Sequence, residues 1–336
     1  MSRKTLGVIC AILFVLLAMS VLMNVAVGIV MMLSLALAGS PGPAPPPSYQ
    51  EQIVERGGRD RIAQIDLEGL ISSVGGPFTG STVEDVKGML EYAAQDHRVK
   101  AVVLRINSPG GEVTASDTIY HAVGQLAALK PVIVYMDTVA ASGGYYVACG
   151  GTHLMASETS ITGSIGVIIQ TLNYRELLGK VGLESVAFTS GRYKDTLSPS
   201  REMREDEKKM VQGMVDAMYA RFLAIVSASR GIGEDELREG IADGRIMTGE
   251  EAQALGLIDE TGYIEDAYTR ARALGAAAGA TVVRYRRSIS LASLFGLTAR
   301  KAELKPGQRL ELDLSDRLAS PMEPGQAYFL PAFYAR

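Results

Sequence analysis

Four short glycine-containing segments carry the residues of this sequence that could do chemistry. Each lies close to an apolar run that is typical of a β-strand, and open α/β sheets bind their ligands at strand ends. Glycines at strand ends more often serve turns than sites. The first two segments together nevertheless offer two backbone N–H donors near one serine, as stabilising the oxyanion of an acyl transfer requires. The segments are residues 107–111 (NSPGG), 141–146 (ASGGYY), 162–166 (TGSIG) and 191–195 (GRYKD).

Ser142 is the best candidate for a nucleophile. It follows the predicted strand at residues 131–136 (PVIVYM), and the two glycines after it let backbone N–H groups approach a substrate closely. A serine nucleophile needs a base, and histidine is the usual one. His97 lies in a polar turn, His121 on a predicted amphipathic helix and His153 after a glycine pair. A Ser-His-Asp triad stays open as an alternative, because triads are recognised only by geometry.

Lysine can replace histidine as the base if it is held neutral. Its unperturbed pKa is ~10.4, so it must be desolvated and kept away from carboxylates. Lys194 lies in a short polar loop next to Tyr193, where a lysine is normally a solvated surface charge. The adjacent Asp195 indicates a salt bridge to it. From the residues alone, Lys194 is one available base among several.

The elements that must position these residues alternate between β-branched runs and amphipathic stretches from residue 61 onwards. This repeated β-α-β order predicts a packed α/β domain whose central strands are buried on both faces. The predicted strands are residues 62–67, 99–106, 131–136, 154–156, 166–169, 185–188 and 281–285. The predicted helices are residues 83–94, 114–129, 141–149, 174–180, 201–229, 234–238, 249–254 and 264–274.

Composition excludes several classes of function. Hydrophobic residues make up 47% of the chain and charged residues 21%, which is normal for a packed domain. The net charge of -4 and the scattered basic residues argue against nucleic acid as a partner. The three histidines are not spaced with cysteines or carboxylates as a metal site needs. We therefore expect no metal and no cofactor.

The N-terminal segment predicts a membrane anchor. Residues 6–37 contain no charged side chain, and as a helix they would reach about 48 Å, against a hydrocarbon core of roughly 30 Å. Arg3 and Lys4 favour an N-terminus left in the cytoplasm. Residues 36–38 (ALA) resemble a signal peptide cleavage site. The apolar run is about twice the usual signal peptide length, which favours a retained anchor over a cleaved one.

The segments NSPGG, ASGGYYVA, TGSIGV and GRYKD, in this order, closely resemble the signal peptide peptidase A (SppA) family in its short single-domain form. The resemblance runs from about residue 61 to residue 285. The serine and the lysine lie 52 residues apart, as the family pattern expects. The resemblance implies an α/β, crotonase-like fold related to Clp protease, a repeated β-β-α superhelix. It also implies Ser142 as nucleophile and Lys194 as general base.

The same resemblance implies further roles and an assembly. The N–H groups of Gly111 and Gly143 would form the oxyanion hole, and Ser164 would orient the lysine. A homo-oligomeric ring is expected, whose active sites open into a shared cavity. Whether the serine and lysine of one site come from one subunit or from two neighbours stays open at this point.

The domain organisation and localisation follow from these interpretations. Residues 1–39 are a cytoplasmic tip and one transmembrane helix, and residues 40–60 are a proline-rich spacer. Residues 61–287 are the peptidase domain. Residues 288–336 are an extension, of which residues 327–333 (AYFLPAF) are apolar enough to pack somewhere. We expect a single-pass protein of a bacterial cell membrane, with the catalytic domain on the extracytoplasmic side.

The expected substrates are signal peptide remnants or other apolar peptides, bound as an extended strand in a groove edged by Tyr145 and Tyr146. Because the lysine must be deprotonated, activity should be highest on the alkaline side of neutrality. Three alternatives are kept: a peptidase that trims stomatin-like membrane proteins, an acyl-CoA hydratase or isomerase on the same fold, and a non-catalytic membrane scaffold.

Overall fold

The computed structural model describes residues 13–29, 49–75, 81–287 and 327–329. The chain divides into two compact units, Met1–Pro47 and Ser48–Arg336. In the first unit, residues 13–29 form helix α1, whose side chains are exposed. Among the residues described, no helix is both long and apolar enough to cross a membrane. The rest of the predicted anchor and residues 40–48 of the predicted spacer lie outside the described residues.

The second unit is built on β-strands that alternate with helices. Its strands are β1 Tyr49–Glu55, β2 Arg61–Glu68, β3 Val99–Ser108, β4 Gly111–Glu112, β5 Val132–Ala141, β6 His153–Ala156, β7 Ile161–Gly163, β8 Ile168–Ile169, β9 Ile246–Thr248, β10 Glu260–Thr261, β11 Thr281–Arg287 and β12 Ala327–Phe329. Its helices are α2 Thr82–Gln95, α3 Val113–Ala127, α4 Gly143–Ala148, α5 Arg175–Lys180, α6 Glu205–Arg230, α7 Glu234–Gly240, α8 Gly249–Ala254 and α9 Ile264–Leu274.

Two sheets organise the described part of this unit. The larger one has the strand order β1-β11-β2-β3-β5-β6-β10, and β7 pairs with the end of β5 and with β9. The neighbours β2, β3, β5 and β6 are parallel, while β1 runs antiparallel to β11. A smaller sheet has the order β4-β12-β8. The parallel strands β3, β5 and β7 therefore bring their carboxyl ends to one edge.

The core lies on both faces of the parallel strands. On one face, residues of α2, α3, α4 and α6 pack against alternate positions of β2, β3 and β5. On the other face, α9 covers the remaining positions, with Ala267, Tyr268 and Ala271 against Ile62, Val103 and Ile133. Full burial of one large aliphatic side chain contributes about 1.5–3 kcal/mol. Strands buried on both faces explain why β3 and β5 read as nearly continuous apolar runs.

Local signals set the ends of several helices. The Ser81 side chain accepts a hydrogen bond from the Glu84 N–H (3.1 Å) and so caps the start of α2. Gly231 ends α6 in a left-handed conformation, with φ 69°. Helix α6 begins at Glu205, four residues after the predicted start at residue 201.

Two sequence predictions differ from the structure. The strand predicted at residues 185–188 is absent, and these residues do not pair with any described strand. Val186 is 68% exposed and Phe188 97% exposed, so nothing in the described part of this chain covers the apolar run. The first strand of the sheet, β1, begins at Tyr49, whereas the sequence places the start of the domain at residue 61.

Candidate active site

Strand β5 delivers Ser142 directly to the edge of the sheet. The strand continues to Ala141, past its predicted end at residue 136, because its last residues pair with β7. The Ser142 N–H donates to the Gly163 carbonyl (2.8 Å), and its carbonyl accepts from the Tyr146 N–H (2.8 Å). These two bonds fix the backbone at the junction between β5 and α4.

The conformation of Ser142 is typical of a functional residue. Its φ is 53° and its ψ is -114°, a region that costs a non-glycine residue of order 1–3 kcal/mol. The residue is fully buried, and its Oγ has no hydrogen-bond partner among the described residues. Buried hydroxyls are ordinarily paired, so an unpaired one on a strained backbone indicates a group held ready for a reaction.

Gly111 and Gly143 lie next to each other beside this serine. A β-carbon at Gly143 would lie 2.6 Å from the Ser116 Oγ and 3.0 Å from the Gly111 nitrogen. A β-carbon at Gly111 would overlap the carbonyl oxygen of Ile71. Neither position has room for a side chain. The structure thus brings together the two glycines that the sequence assigned to the oxyanion hole.

The Gly111 N–H points away from Ile71, the residue that pairs with it on one side. On one side of the segment, the Ile71 N–H donates to the Gly110 carbonyl (2.8 Å) and the Glu112 N–H donates to the Ile71 carbonyl (2.9 Å). Because backbone groups alternate along a strand, the N–H and carbonyl of Gly111 itself point to the opposite side. That side is the one on which β12 lies.

Ser164 follows strand β7 at the same edge. Its N–H donates to the Arg245 carbonyl (2.7 Å), its φ is 51° and it is 4% exposed. Gly163 of β7 pairs with Ala141 of β5. Ser164 and Ser142 are the residues that directly follow this pair. The structure therefore groups Ser164 with Ser142, Gly111 and Gly143.

Lys194 does not join this group within one chain. It lies on an exposed turn in which its N–H donates to the Gly191 carbonyl (3.1 Å). Since the Ser142 Oγ has no partner in the described residues, the Lys194 Nζ does not bond to it. The segment before the turn exposes large apolar side chains: Leu172, Leu177, Val181, Leu183, Val186 and Phe188.

A set of ion pairs holds the lysine-bearing turn to the start of α6. Arg201 binds both carboxylate oxygens of Asp195 (2.6 and 2.8 Å) and both of Glu207 (2.9 and 2.6 Å). The Arg204 N–H donates to Glu207 (2.9 Å), whose side chain is fully buried. The predicted salt bridge between Asp195 and Lys194 is wrong, because Arg201 takes the Asp195 carboxylate.

These contacts change the acidity of both carboxylates. Hydrogen bonds from Arg201 lower the pKa of Glu207 to about 2 and hold the pKa of Asp195 below its usual range. Both groups therefore stay charged at neutral pH. We call Asp195, Arg201, Arg204 and Glu207 the arginine clamp.

The histidines do not supply a base to Ser142 in this chain. His97 and His121 are exposed, and the His153 Nε2 pairs with Glu260 (3.2 Å). The Ser-His-Asp alternative has no support among the described residues, where the Ser142 Oγ has no histidine partner.

The two tyrosines after Ser142 belong to the core, so the expectation that they edge a groove is wrong. The Tyr145 hydroxyl donates to the Leu257 carbonyl (2.8 Å), and the Tyr146 ring packs edge-on against Phe222 with centroids 5.0 Å apart. Both side chains are almost fully buried. The apolar character of these two tyrosines reflects the packing of the short buried helix α4, not the lining of a substrate groove.

Sequence reasoning missed the strand that lies beside the site. Residues 327–329 form β12, which runs antiparallel to both β4 and β8. The apolar sequence AYFLPAF predicts that this stretch packs somewhere, but it does not indicate which elements of the fold it contacts. The strands β4 and β8 have only two residues each, so their sequences cannot be distinguished from those of loops, because most strands have about 5–6 residues.

Comparison with known proteins agrees with this geometry. The sequence model of peptidase family S49 matches residues 125–278, and that of Clp protease matches residues 60–170. A predicted signal peptide peptidase SppA from Enterococcus faecium is 33% identical over 279 residues, which cover 82% of this chain and 80% of that protein.

Longer relatives match over part of their length. The chloroplastic serine protease SPPA of Arabidopsis thaliana is 35% identical over 221 residues, 64% of this chain and 32% of that protein. Protease 4 of Salmonella typhi is 35% identical over 213 residues, 63% of this chain and 33% of that protein. A solved ClpP1 mutant from Listeria monocytogenes overlaps with a TM-score of 0.42 at 16% identity, covering 61% of this chain and 93% of that one, which is too weak to support a conclusion.

A parallel sheet that ends in a strained serine between two glycine segments, together with the Clp protease match, defines a serine peptidase with a Clp protease-like α/β fold. The chain belongs to peptidase family S49, the family of SppA. These matches give no support to the acyl-CoA hydratase and scaffold alternatives.

Proposed function

We propose that this protein is a membrane-anchored endopeptidase that hydrolyses apolar peptides, signal peptide remnants first among them, with Ser142 as nucleophile and Lys194 as base. The observation that carries the proposal is the position of β12, a strand inserted between β4 and β8 next to Ser142, Gly111 and Gly143. A groove that accepts an extended strand there suits a peptide bound through its backbone.

The reaction follows from the site. Neutral Lys194 accepts the Ser142 proton as the Oγ attacks a peptide carbonyl, and the N–H groups of Gly111 and Gly143 stabilise the oxyanion. Lys194 then returns the proton to the leaving amine. Water then attacks the acyl-enzyme carbonyl and gives a proton to Lys194, and the Ser142 Oγ leaves and takes that proton back.

The base comes from a neighbouring subunit in this proposal. Ser142 is buried without a partner among the described residues, whereas Lys194 is exposed on a turn that the arginine clamp holds to α6. The exposed apolar side chains before that turn suit a contact with a second copy of the chain. Such a contact removes water from around Lys194 and so favours its neutral form, which is the form that can act as a base. Each such contact joins two different surfaces of neighbouring subunits, and a closed ring of subunits satisfies all of them.

Localisation is proposed from the N-terminal sequence. Residues 6–37 carry no charge, and Arg3 with Lys4 precede them, so we infer a single span with the peptidase unit on the extracytoplasmic side of a bacterial cell membrane. An anchored peptidase meets apolar peptides that partition into the same bilayer, which is why signal peptide remnants are the preferred substrate class. Stomatin-like membrane proteins are a second class to be compared in substrate profiling.

The test is hydrolysis of a fluorogenic apolar peptide by the full-length protein in detergent. Ser142→Ala and Lys194→Ala should each lower kcat by at least about 10³-fold, while Lys180→Ala, at the exposed end of α5, should leave it unchanged. Retained oligomer size and circular dichroism establish that the variants are folded. Activity that survives Lys194→Ala would contradict the proposed base.

A further inference from the structure

The peptide bond between Gly110 and Gly111 carries one of the two proposed oxyanion donors. Its carbonyl oxygen accepts a hydrogen bond from the Ile71 N–H (2.8 Å). In a planar trans peptide the N–H points opposite to the carbonyl, so this bond directs the Gly111 N–H away from Ile71. The position of Ile71 therefore decides where the donor points.

Ile71 is held in turn by the residue that follows Gly111. The Glu112 N–H donates to the Ile71 carbonyl (2.9 Å), and the Glu112 side chain binds the two residues after Ile71. Its Oε1 accepts from the Ser72 Oγ (2.5 Å). Its Oε2 accepts from the Ser73 N–H (3.1 Å) and from the Ser73 Oγ. The carboxylate thus ties the segment that contains Ile71 to β4.

The backbone of Glu112 also reaches the second proposed donor. The Glu112 carbonyl accepts from the Ser116 Oγ (2.9 Å). A β-carbon at Gly143 would lie 2.6 Å from this Oγ, so Ser116 packs directly against the glycine. A shift of β4 would therefore change the distance between the two N–H donors as well as the direction of one of them.

A carboxylate is costly at this position. Glu112 is only 7% exposed and adjoins the residue whose N–H would bind the oxyanion. A negative charge there opposes the charge that develops in the reaction. The donors from residues 72 and 73 offset the cost of burying the carboxylate. A side chain that only filled the space would carry no such cost, which indicates that the hydrogen bonds themselves have a role.

We propose that Glu112 is a positioning residue of the oxyanion hole, which acts through Ile71 on the direction of the Gly111 N–H. The inference rests on the proposed function, in which that N–H binds the oxyanion. Glu112 touches no reacting atom. Its role depends on accepting hydrogen bonds and not on its charge, so glutamine should replace it. The amide oxygen can accept from residue 73, and the NH₂ group can donate to the hydroxyl of residue 72.

Kinetics and the affinity of a peptide aldehyde test the inference on the full-length protein. The aldehyde forms a tetrahedral adduct with a serine Oγ and so resembles the transition state. Loss of one oxyanion donor lowers kcat about 10²–10³-fold; Glu112→Ala misdirects the donor without removing it, so kcat should fall about 10–100-fold at an unchanged KM. The Ki of the aldehyde should rise by the same factor. Glu112→Gln should stay within about threefold of the wild type.

Two further variants serve as a control and as a second test. Glu91→Ala removes an exposed carboxylate of α2 and should change neither kcat nor Ki. Ser72→Ala combined with Ser73→Ala removes both hydroxyl donors and should lower kcat like Glu112→Ala. Adding Glu112→Ala to this pair should cost less than it does in the wild type, because the three residues act through one contact. The serine pair decides the question if Glu112→Ala does not fold, since neither serine belongs to the core.

Three outcomes would overturn the inference. Wild-type kcat and wild-type Ki in folded Glu112→Ala would show that the carboxylate has no part in the oxyanion hole, and would leave the proposed function standing. A raised KM at unchanged kcat, or equal losses in Glu112→Ala and Glu112→Gln, would assign the residue to substrate binding or to a role of its charge. A wild type that neither hydrolyses the peptide nor binds the aldehyde contradicts the proposed function together with the inference.

Discussion

The two halves of the proposed site are built by opposite means. Ser142, with Gly111, Gly143 and Ser164, is buried and fixed by backbone bonds at the edge of a parallel sheet. Lys194 lies on an exposed turn that the side-chain charges of the arginine clamp hold to α6. The nucleophile half is complete within one fold, whereas in the proposed site the base half needs a second subunit to cover its lysine. Steric changes should therefore damage the first half and changes of charge the second.

The largest effect is expected from Gly143→Ala. The new β-carbon would lie 2.6 Å from the Ser116 Oγ and 3.0 Å from the Gly111 nitrogen, so the two N–H donors must separate. We expect kcat to fall about 10²–10³-fold, the cost of losing one oxyanion donor. Steady-state kinetics measures it. Gly124→Ala, in α3 with open space around it, is the control and should retain activity; equal kinetics for both variants would contradict the oxyanion role.

A change of charge should instead move the pH profile. Arg201→Ala frees the Asp195 carboxylate to pair with the Lys194 ammonium, which favours the charged form that cannot act as a base. The acid limb of kcat/KM should move to higher pH. Activity near neutrality should fall about tenfold for every pH unit that the limb moves, and alkaline buffer should largely recover it. Arg175→Ala, at the start of α5, removes an exposed ion pair with Glu202 and is the control. An unchanged profile for Arg201→Ala would show that the clamp has no part in tuning the base.

Deleting residues 327–336 should raise activity on external peptides severalfold, because it empties the groove between β4 and β8. The change should appear as a lower KM with an unchanged kcat, because the catalytic residues are unchanged and only the competition for the groove is lost. A deletion of residues 334–336 alone, which leaves β12 in place, should behave like the wild type. Identical KM values for the two deletions would mean that β12 does not compete with substrate.

The smallest effect is a local acid transition in the base half. The pKa of Glu207 is lowered to about 2, so its contribution to stability is present above the unfolded value near 4 and is lost as the pH falls toward 2. Hydrogen exchange of residues 191–204 should accelerate in that window before the exchange of β3 and β5. In Glu207→Gln the exchange of this segment should be fast already at neutral pH. If hydrogen exchange of residues 191–204 and of the sheet accelerates at the same pH, the clamp does not unfold as a separate unit.

Much of the nucleophile half could be predicted from the sequence. The apolar runs in β3 and β5, the order of the glycine segments and the serine between them depend on local composition, and the structure places them as expected. The base half could not be predicted as well. Residues 185–188 have strand composition but no strand to pair with among the described residues, and Asp195 adjoins Lys194 in sequence yet pairs with Arg201. Strand β12 depends on a long-range pairing that local composition does not encode.

The most direct test of the account is complementation between two inactive variants. Ser142→Ala and Lys194→Ala chains, carrying different tags, are coexpressed and the mixed oligomers are isolated through both tags. If each site takes its serine from one subunit and its lysine from the next, a random mixture should recover about one quarter of the wild-type activity. Mixed oligomers of native size that stay as inactive as either parent would contradict a site shared between neighbours and place both residues in a single chain.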